Sequence, residues 1–254
     1  MKWRVIGLQI NDAYTNMAID EAILNQVSIY DSPNTIRMYR WCPSAVSIGY
    51  FQSIQEEVDL EYSAKKGVDV VRRITGGGAV YHDFNGEVTY SLILSEKDGV
   101  APKDLLESYT VLCGGIVKGL QYLGLDAEFK PVNDIIVNGR KISGNAQTRR
   151  QGVILQHGTV LVDLDLTAMF KVLKVGEGKI SDKMIKAVEE RVTSIKREKG
   201  ALPRFEDVAQ SLRKGFEEAF NIETFDGDLS EKEKALAIEF RRAKYRTREW
   251  NYKR

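Results

Sequence analysis

Hydrophobic and polar positions alternate along the first part of the chain, a pattern that is typical of half-buried strands. In residues 88–94, for example, Val88, Tyr90 and Leu92 alternate with Thr89 and Ser91. Six further segments favour strands by alternation or by short apolar runs: residues 3–9, 35–41, 45–50, 68–73, 79–82 and 153–163. The first 163 residues are therefore predicted to be rich in β-structure.

Other segments repeat their apolar positions with a helical period. This repeat predicts helices at residues 15–27, 54–66, 102–123, 166–173, 182–190, 205–220 and 230–245, with Gly67 and Gly124 closing the second and third. Antiparallel strands with inserted and then appended helices do not fit a doubly wound sheet. The pattern instead predicts an α+β fold of mixed, largely antiparallel sheets flanked by helices.

A hairpin is predicted at Asn138 and Gly139, which separate two short strand-like runs. Both residue types tolerate the positive φ angles of a two-residue type I′ turn. Such a hairpin places Asp134 and Lys141 near corresponding ends of adjacent antiparallel strands. We therefore expect these two side chains to face one site.

The composition fits one domain over residues 1–254, with a helical C-terminal part at 165–254. A chain of 254 residues, 43% of them hydrophobic, can bury a substantial core. The formal net charge of +1 creates no overall field toward nucleic acid or an anionic membrane. No apolar run reaches the roughly 18 residues of a membrane span, and the N-terminus lacks a signal-peptide pattern. We expect a cytoplasmic protein with neither nucleic acid nor membrane as partner.

The two cysteines, Cys42 and Cys113, lie far apart, which excludes a sequence-local zinc site and argues against a disulfide framework. Cys113 falls on the apolar stripe of the 102–123 helix, so we expect it in the core. Cys42 precedes Pro43, and no neighbouring residue supplies it with a base. We favour a loop or pocket-wall role for Cys42 over a nucleophile.

The segment from Arg72 to Asp83 joins two arginines to three consecutive glycines between two strand-like runs. Glycine N–H groups can approach an anion closely, and a guanidinium adds a bidentate positive partner. The glycines are contiguous and no Gly-Lys-Ser/Thr follows, so the loop is neither a dinucleotide fingerprint nor a Walker A motif. It predicts a phosphate-handling loop. The alternative is a pair of strand arginines, one exposed and one in a surface ion pair.

This segment resembles the Arg-Arg-x-x-Gly-Gly-Gly-x-Val-x-His-Asp signature of the lipoate-protein ligase family, relatives of the biotin protein ligases. Further motifs follow in that family's order: Asn133-Asp134, residues 139–147 and Gln156-His157-Gly158. The resemblance spans nearly the whole chain. It implies a catalytic domain of the class II aminoacyl-tRNA synthetase and biotin ligase type, in a short form without the accessory C-terminal domain.

The resemblance implies an ATP-dependent lipoate-protein ligase. Such an enzyme uses ATP and Mg²⁺ to convert lipoate to lipoyl-AMP, and then transfers the lipoyl group to a lysine of a lipoyl-domain protein. Expected acceptors are the glycine-cleavage H protein and the acyltransferase subunits of 2-oxoacid dehydrogenases. Because longer members continue past the point where this chain stops, at Arg254, a separate small accessory ligase subunit is a further expected partner.

Lys141 is the expected catalytic residue, because its ammonium can follow charge from the acyl carbonyl to the α-phosphate. A solvated hairpin lysine is the alternative. The resemblance implies ATP contacts from Arg73, Gly77, Gly78, Ala79, Val80, Tyr81, Asn133, Asp134 and Lys141, with Asp134 also binding the metal ion. It implies lipoate contacts from Ser47, Gly49, Arg72, His82, Lys141, Gly144, His157 and Gly158. An Asx turn at Asn133 and Asp134, and strand bulges at the last two glycines, are the open alternatives.

Two other functions stay open. The first is a cysteine-dependent octanoyl or lipoyl transferase of the same superfamily, which moves the acyl group through a thioester without ATP. Against it, residues 130–134 contain no cysteine where those relatives carry theirs, and position 143 is serine. The second is a non-catalytic module that binds an acyl group or a nucleotide.

Overall fold

The computed structural model describes residues 2–163, 165–174 and 182–254, without the side chains of residues 182–184. Its strands are β1 (Lys2–Asn11), β2 (Thr35–Trp41), β3 (Ala45–Ile48), β4 (Asp69–Arg72), β5 (Val80–His82), β6 (Glu87–Ser95), β7 (Ala127–Lys130), β8 (Asp134–Val137), β9 (Arg140–Arg150), β10 (Val153–Leu161) and β11 (Glu223–Asp226). Its α-helices are α1 (Ala13–Ser28), α2 (Ile54–Glu57), α3 (Leu60–Lys66), α4 (Leu105–Tyr122), α5 (Leu166–Val172), α6 (Asp182–Glu189), α7 (Ile195–Lys199), α8 (Phe205–Phe220), α9 (Glu231–Phe240) and α10 (Arg248–Asn251).

These strands form two sheets. The large sheet has the order β11-β1-β2-β6-β10-β9-β8-β7, in which β1 runs parallel to β2 and β11 and the other neighbours are antiparallel. The small sheet has the order β4-β3-β5, with β3 parallel to β4 and antiparallel to β5. The predicted α+β class with mixed, largely antiparallel sheets is confirmed.

Both faces of the large sheet are buried under helices. On one face Leu92 of β6 shares a core cluster with residues of α4 and α8. On the other face the next residue, Ile93, packs with residues of α1 and α9. In the small sheet, Val46 and Ile48 belong to a third cluster. Side chains alternate along a strand, so Ser47 points to the opposite side of the small sheet, which faces the large one.

Helix boundaries follow local capping. Asp12 caps α1 by accepting the N–H of Thr15, and Gly67 closes α3 in the left-handed conformation with φ 65°. The single helix predicted over residues 54–66 is wrong, however. Val58 is extended and bridges to Leu173, and Asp59 then caps α3, so the segment forms two short helices.

The predicted hairpin is confirmed, since Asn138 and Gly139 have φ angles of 51° and 73°. The register between β8 and β9 shifts near its end: Ile135 pairs with Ser143 and Ile136 with Lys141, which makes Ile142 the extra residue of a bulge. Asp134 and Lys141 lie on one side of this hairpin, with 2.6 Å between Oδ1 and Nζ. Their expected proximity is therefore confirmed.

Four short elements were not predicted from the sequence: β7, β11, α7 and α10. Each has only four or five residues, which is too short for a period to stand out. The helix predicted over residues 230–245 ends as an α-helix at Phe240 and continues as a π-helical turn from Arg241 to Tyr245. Of the helices in the described ranges, none has the length and apolar character that a membrane crossing requires.

Candidate active site

A cavity of about 400 Å³ lies between the two sheets. Its walls come from β2, β6, β9 and β10 of the large sheet, from β3 and β5 of the small sheet, and from α1, α5 and α6. Much of the lining is apolar and includes Met17, Tyr39, Trp41, Ala146, Leu161, Met169, Val188 and Val192. Such walls suit an extended hydrocarbon group, and the volume lies within the ordinary range of small-molecule sites.

The glycine loop, which contains Gly76, Gly77 and Gly78, borders this cavity, and Arg73 holds it in place by hydrogen bonds. Nη2 of Arg73 donates to the carbonyls of Gly76 (2.8 Å) and Gly78 (2.7 Å), and Nη1 donates to the carbonyl of Ser47 (2.9 Å). The remaining donor, Nε, reaches Thr75 Oγ1 at 3.1 Å. Burial lowers the pKa of Arg73 to about 10, so the guanidinium stays charged at neutral pH. Arg73 therefore shapes the loop.

Arg72 lies outside the cavity lining, although both it and Arg73 are buried. Its guanidinium donates to the carbonyls of Gly49 (3.1 Å), Tyr50 (3.0 Å) and Gln52 (2.6 Å). It also donates to the carbonyls of Trp250 (3.1 Å) and Asn251 (2.8 Å) in α10. Arg72 thus connects the C-terminal helix to β4 and to the segment after β3. Because Arg72 and Arg73 are both buried, the alternative of one exposed arginine and one in a surface ion pair is wrong.

A hydroxyl, an imidazole and a carboxylate form a chain at the cavity wall. Ser47 Oγ lies 2.8 Å from His82 Nε2, and His82 Nδ1 lies 2.7 Å from Glu87 Oε1. The imidazole also stacks on Trp41, with 4.0 Å between ring centroids and 14° between planes. All four residues line the cavity. Ser47 and His82 were predicted from the sequence but Glu87 was not; its only signal is an acidic residue at the start of a strand that has no other charged residue.

His157 belongs to a second polar chain, with Nε2 at 2.7 Å from Thr75 Oγ1 and Nδ1 at 3.5 Å from Asp20 Oδ2. Burial lowers the pKa of His157, and hydrogen bonding to Asp20 offsets only part of that effect. Burial would raise the pKa of Asp20, but His157 and the charge of Arg37 outweigh it and lower that pKa. His157 is therefore a neutral imidazole beside a carboxylate.

Lys141 lines the cavity and pairs with Asp134, which lies outside the lining. The backbone of Lys141 is held by a neighbouring segment: its N–H donates to Arg191 O and its carbonyl accepts from Thr193 N, both at 2.8 Å. The backbone of Lys141 is therefore fixed. Its side chain is 42% exposed, so the ammonium remains reachable from solvent. The side chain is thus both ion-paired and partly solvated, so the catalytic role of Lys141 stays a prediction beside the alternative of a solvated hairpin lysine.

The motif glycines make room for protein atoms. A Cβ at Gly158 would stand 2.1 Å from Asn145 Oδ1, and one at Gly49 would stand 2.0 Å from the carbonyl oxygen of Gly77. Asn145 in turn accepts from the hydroxyl of Tyr90 at 2.7 Å. The side-chain amides of Asn133 and Asn145 each donate to the other residue's backbone carbonyl, and the backbone N–H of Asn145 also donates to the carbonyl of Asn133. The space expected for a lipoyl tail at Gly158 is thus partly filled by Asn145. Gly49 lies outside the lining and permits the close approach of the glycine loop.

Neither cysteine lines the cavity. Cys113 is buried in the core on α4, as expected, and burial raises the pKa of its thiol to about 12. Cys42 is exposed in the turn between β2 and β3. The structure thus brings together most of the proposed site residues, including Ser47, Arg73, the glycine loop, His82, Asn133, Lys141, Gly144, His157 and Gly158, and leaves Gly49, Arg72 and Asp134 outside the cavity lining.

Comparison with known proteins identifies relatives of this chain along its full length. The lipoyl protein ligase A/B catalytic domain matches residues 12–217. Octanoyltransferase LipM of Geobacillus kaustophilus is 38% identical over 99% of this chain and 98% of its own, and LipM of Kyrpidia tusciae is 39% identical over 99% of both. A bi-partite lipoate protein ligase from Thermoplasma acidophilum has a structure that matches with a TM-score of 0.89 at 35% identity, covering 99% of this chain and 96% of that one.

The curated relatives overturn one prediction. An ATP-dependent lipoate-protein ligase was expected, but the two curated relatives that match over their whole length are named octanoyltransferases, so that function is wrong and the transferase alternative fits better. ATP and Mg²⁺ were expected as parts of the ligase reaction, and the octanoyltransferase relatives do not support them for this chain. The phosphate role of the glycine loop and the metal role of Asp134 stay predictions. In the structure, the loop's own carbonyls engage Arg73, and Lys141 engages Asp134.

Proposed function

Because this chain belongs to the lipoyl protein ligase A/B catalytic-domain family, we propose that it transfers an octanoyl group from a thioester donor to one lysine of a lipoyl domain. The full-length likeness to octanoyltransferases supports the acyl group. The acceptor is a lipoyl domain, such as that of the glycine-cleavage H protein or of a 2-oxoacid dehydrogenase acyltransferase. An accessory subunit stays a prediction.

Transfer from a thioester needs no ATP, since the acyl group is already activated. The amine nitrogen of the acceptor replaces sulfur at the acyl carbon: a C–N bond forms and the C–S bond breaks. The thiolate that leaves takes up the proton that the amine loses. The protein has to hold the acyl chain, keep its carbonyl in place and stabilise the negative charge of the tetrahedral intermediate.

One observation carries the proposal: the cavity has apolar walls and contains the ammonium of Lys141. Met17, Tyr39 and Leu161 supply surfaces for a saturated chain, and Lys141 is the group that can neutralise an oxyanion at its head. The ion pair with Asp134 holds the ammonium in position, and its partial exposure leaves the site open to a protein-bound lysine.

The decisive experiment mixes the purified chain with an octanoylated acyl carrier protein and an unmodified lipoyl domain, without ATP. Intact-mass spectrometry of the lipoyl domain should show one octanoyl group, and a domain whose acceptor lysine is replaced by arginine should stay unmodified. A parallel reaction contains free octanoate with ATP and Mg²⁺. If only that second reaction modifies the domain, the proposed thioester donor is wrong.

A further inference from the structure

The hydrogen-bonded side chains of Ser47, His82 and Glu87 have the geometry of an activated nucleophile with its base. We propose that Ser47 accepts the acyl group from the donor and passes it to the acceptor lysine, so that the reaction proceeds through an octanoyl-serine ester. This inference rests on the proposed acyl transfer. It assigns the nucleophile that the cysteines of this chain do not supply.

The distances match those of a hydroxyl with its general base. His82 Nε2 lies 2.8 Å from Ser47 Oγ, within reach of the hydroxyl proton, and Glu87 Oε1 lies 2.7 Å from the other ring nitrogen. A carboxylate on Nδ1 selects the tautomer whose Nε2 is free to accept a proton and stabilises the imidazolium that results. The three side chains therefore hold the roles of nucleophile, base and orienting acid.

His82 and Glu87 are held in position by contacts with Trp41 and Thr89. Thr89 Oγ1 donates to Glu87 Oε1 at 2.7 Å, and the indole N–H of Trp41 donates to Thr89 Oγ1 at 2.7 Å. The indole ring of Trp41 is stacked on the imidazole of His82. One tryptophan thus restrains the imidazole by its face and the carboxylate through Thr89, and the resulting rigidity keeps Nε2 aimed at Ser47.

Charge placement also favours Ser47. Nη1 of Arg73 donates to Ser47 Oγ at 3.1 Å while holding the carbonyl of the same residue. A positive charge at this distance stabilises the oxygen as it loses its proton. Because burial of Ser47 and Arg73 excludes most water, this interaction is stronger than it would be at the surface.

The other candidate nucleophiles are placed less well. Cys113 lies in the core and Cys42 in an exposed turn, and both are outside the cavity lining. Thr75 makes a similar chain with His157 and Asp20, but Thr75 is also outside the lining and its imidazole stands 3.5 Å from the carboxylate. Asp20 is besides occupied by Arg37 at 2.8 Å. Among the hydroxyl and thiol groups in the described part of the chain, Ser47 alone combines an imidazole base within 2.8 Å with a place in the cavity wall.

The two steps balance without a further reagent. Ser47 Oγ attacks the thioester carbonyl while its proton moves to His82; the C–S bond breaks and the leaving thiolate takes that proton. The acceptor amine then attacks the ester carbonyl and gives a proton to His82. As the C–O bond breaks, that proton returns to Ser47 Oγ and the amide is released.

The test follows the enzyme mass after rapid mixing with octanoylated carrier protein in the absence of acceptor. We expect a burst of one octanoyl group per chain, mapped by peptide analysis to Ser47. Ser47→Ala should form no adduct, and its transfer rate should fall about 10³-fold or more. Ser47→Cys should restore an adduct, now as a thioester that neutral hydroxylamine cleaves quickly. Ser63→Ala, which removes a buried serine of α3, is the matched control and should keep the burst.

A variant without cysteines, Cys42→Ser combined with Cys113→Ser, should also keep the burst. If the wild-type chain octanoylates the lipoyl domain but never carries an acyl group on Ser47, the inference is wrong while the proposed function stands. An acyl adduct on Cys42 in place of Ser47 would likewise overturn the inference alone. If the wild-type chain moves no octanoyl group from carrier to lipoyl domain, the proposed function and the inference fail together.

Discussion

The side chain of Lys141 occupies the space that a side chain at position 144 would need. A Cβ built on Gly144 would lie 2.8 Å from both Cε and Nζ of Lys141. The bulge at Ile142 brings the two residues together, because it interrupts the alternation of β9 between them. The glycine in this motif is therefore explained by the lysine it accommodates.

Gly144→Ala should displace the ammonium of Lys141 and slow octanoyl transfer by about 10-fold or more, because misplacement of one catalytic group by about 1 Å costs up to about 10²-fold. The fold should be preserved, since the clash involves the far end of a flexible side chain. Transfer rates and thermal unfolding of the variant give both answers. An unchanged rate would show that the position of this ammonium does not matter.

Lys141→Ala should lower the rate of octanoyl transfer by about 10²–10³-fold, the usual effect of removing one stabiliser of an oxyanion. The melting temperature should change little, because a half-exposed ion pair contributes at most about 1 kcal/mol. Lys118→Ala is the matched control, since it removes an exposed lysine that pairs with Glu218 and lies outside the cavity lining. Equal rates for both variants would remove Lys141 from the mechanism.

The Asp134 and Lys141 pair could be predicted from sequence because its cause is local. Asn138 and Gly139 specify a two-residue turn, and the turn sets the register of the strands that carry both side chains. The long helices α4 and α8 could also be predicted from sequence, since their apolar stripes extend over several turns. Signals that lie within about 20 residues of chain were thus sufficient for these parts.

The contacts of Arg72 could not be predicted in the same way. An arginine beside a glycine triplet favours an anion site, but the partners of Arg72 are backbone carbonyls, and two of them belong to α10, some 180 residues away in sequence. Glu87 posed the same difficulty, because a strand-initial glutamate has no local feature that pairs it with His82. Periodicity reports which face is buried; it does not report which polar groups meet there.

Gly158→Ala should destabilise the fold by about 2–4 kcal/mol. The new methyl group would meet Asn145 Oδ1 at 2.1 Å, the carbonyl oxygen of Gly144 at 2.8 Å and the ring of Tyr90 at 2.9 Å, and the first contact breaks the hydrogen bond between Tyr90 and Asn145. Urea unfolding measures this cost. Gly7→Ala, where nothing lies within 4 Å, should change stability by no more than about 1 kcal/mol. Comparable effects at both positions would contradict the crowding at Gly158.

Arg72→Lys should lower the free energy of unfolding by about 3 kcal/mol or more. A lysine keeps the charge but cannot reach five carbonyls in two directions, so several buried acceptors lose their donor. Limited proteolysis should then cleave first near α10, because Arg72 attaches that helix. Arg242→Lys at an exposed position serves as control and should behave as the wild type does. An intact, protease-resistant C-terminus in the Arg72 variant would contradict this role.

His157 should make stability fall as the pH decreases from about 7 toward 5. Its pKa is lowered in the folded protein, chiefly by burial, and is about 6.5 in the unfolded chain. Across that window the unfolded chain binds more protons, so the free energy of unfolding decreases with decreasing pH, by at most about 1.4 kcal/mol per pH unit. Below the lowered pKa both states are protonated and this decrease stops. Asp20, whose pKa is also lowered, acts separately at more acidic pH.

Urea unfolding of wild type and His157→Asn between pH 7.5 and 5 isolates the effect, because all other groups are common to both. The variant should show the shallower slope, and parallel slopes would mean that the pKa of His157 is the same in the folded and the unfolded chain.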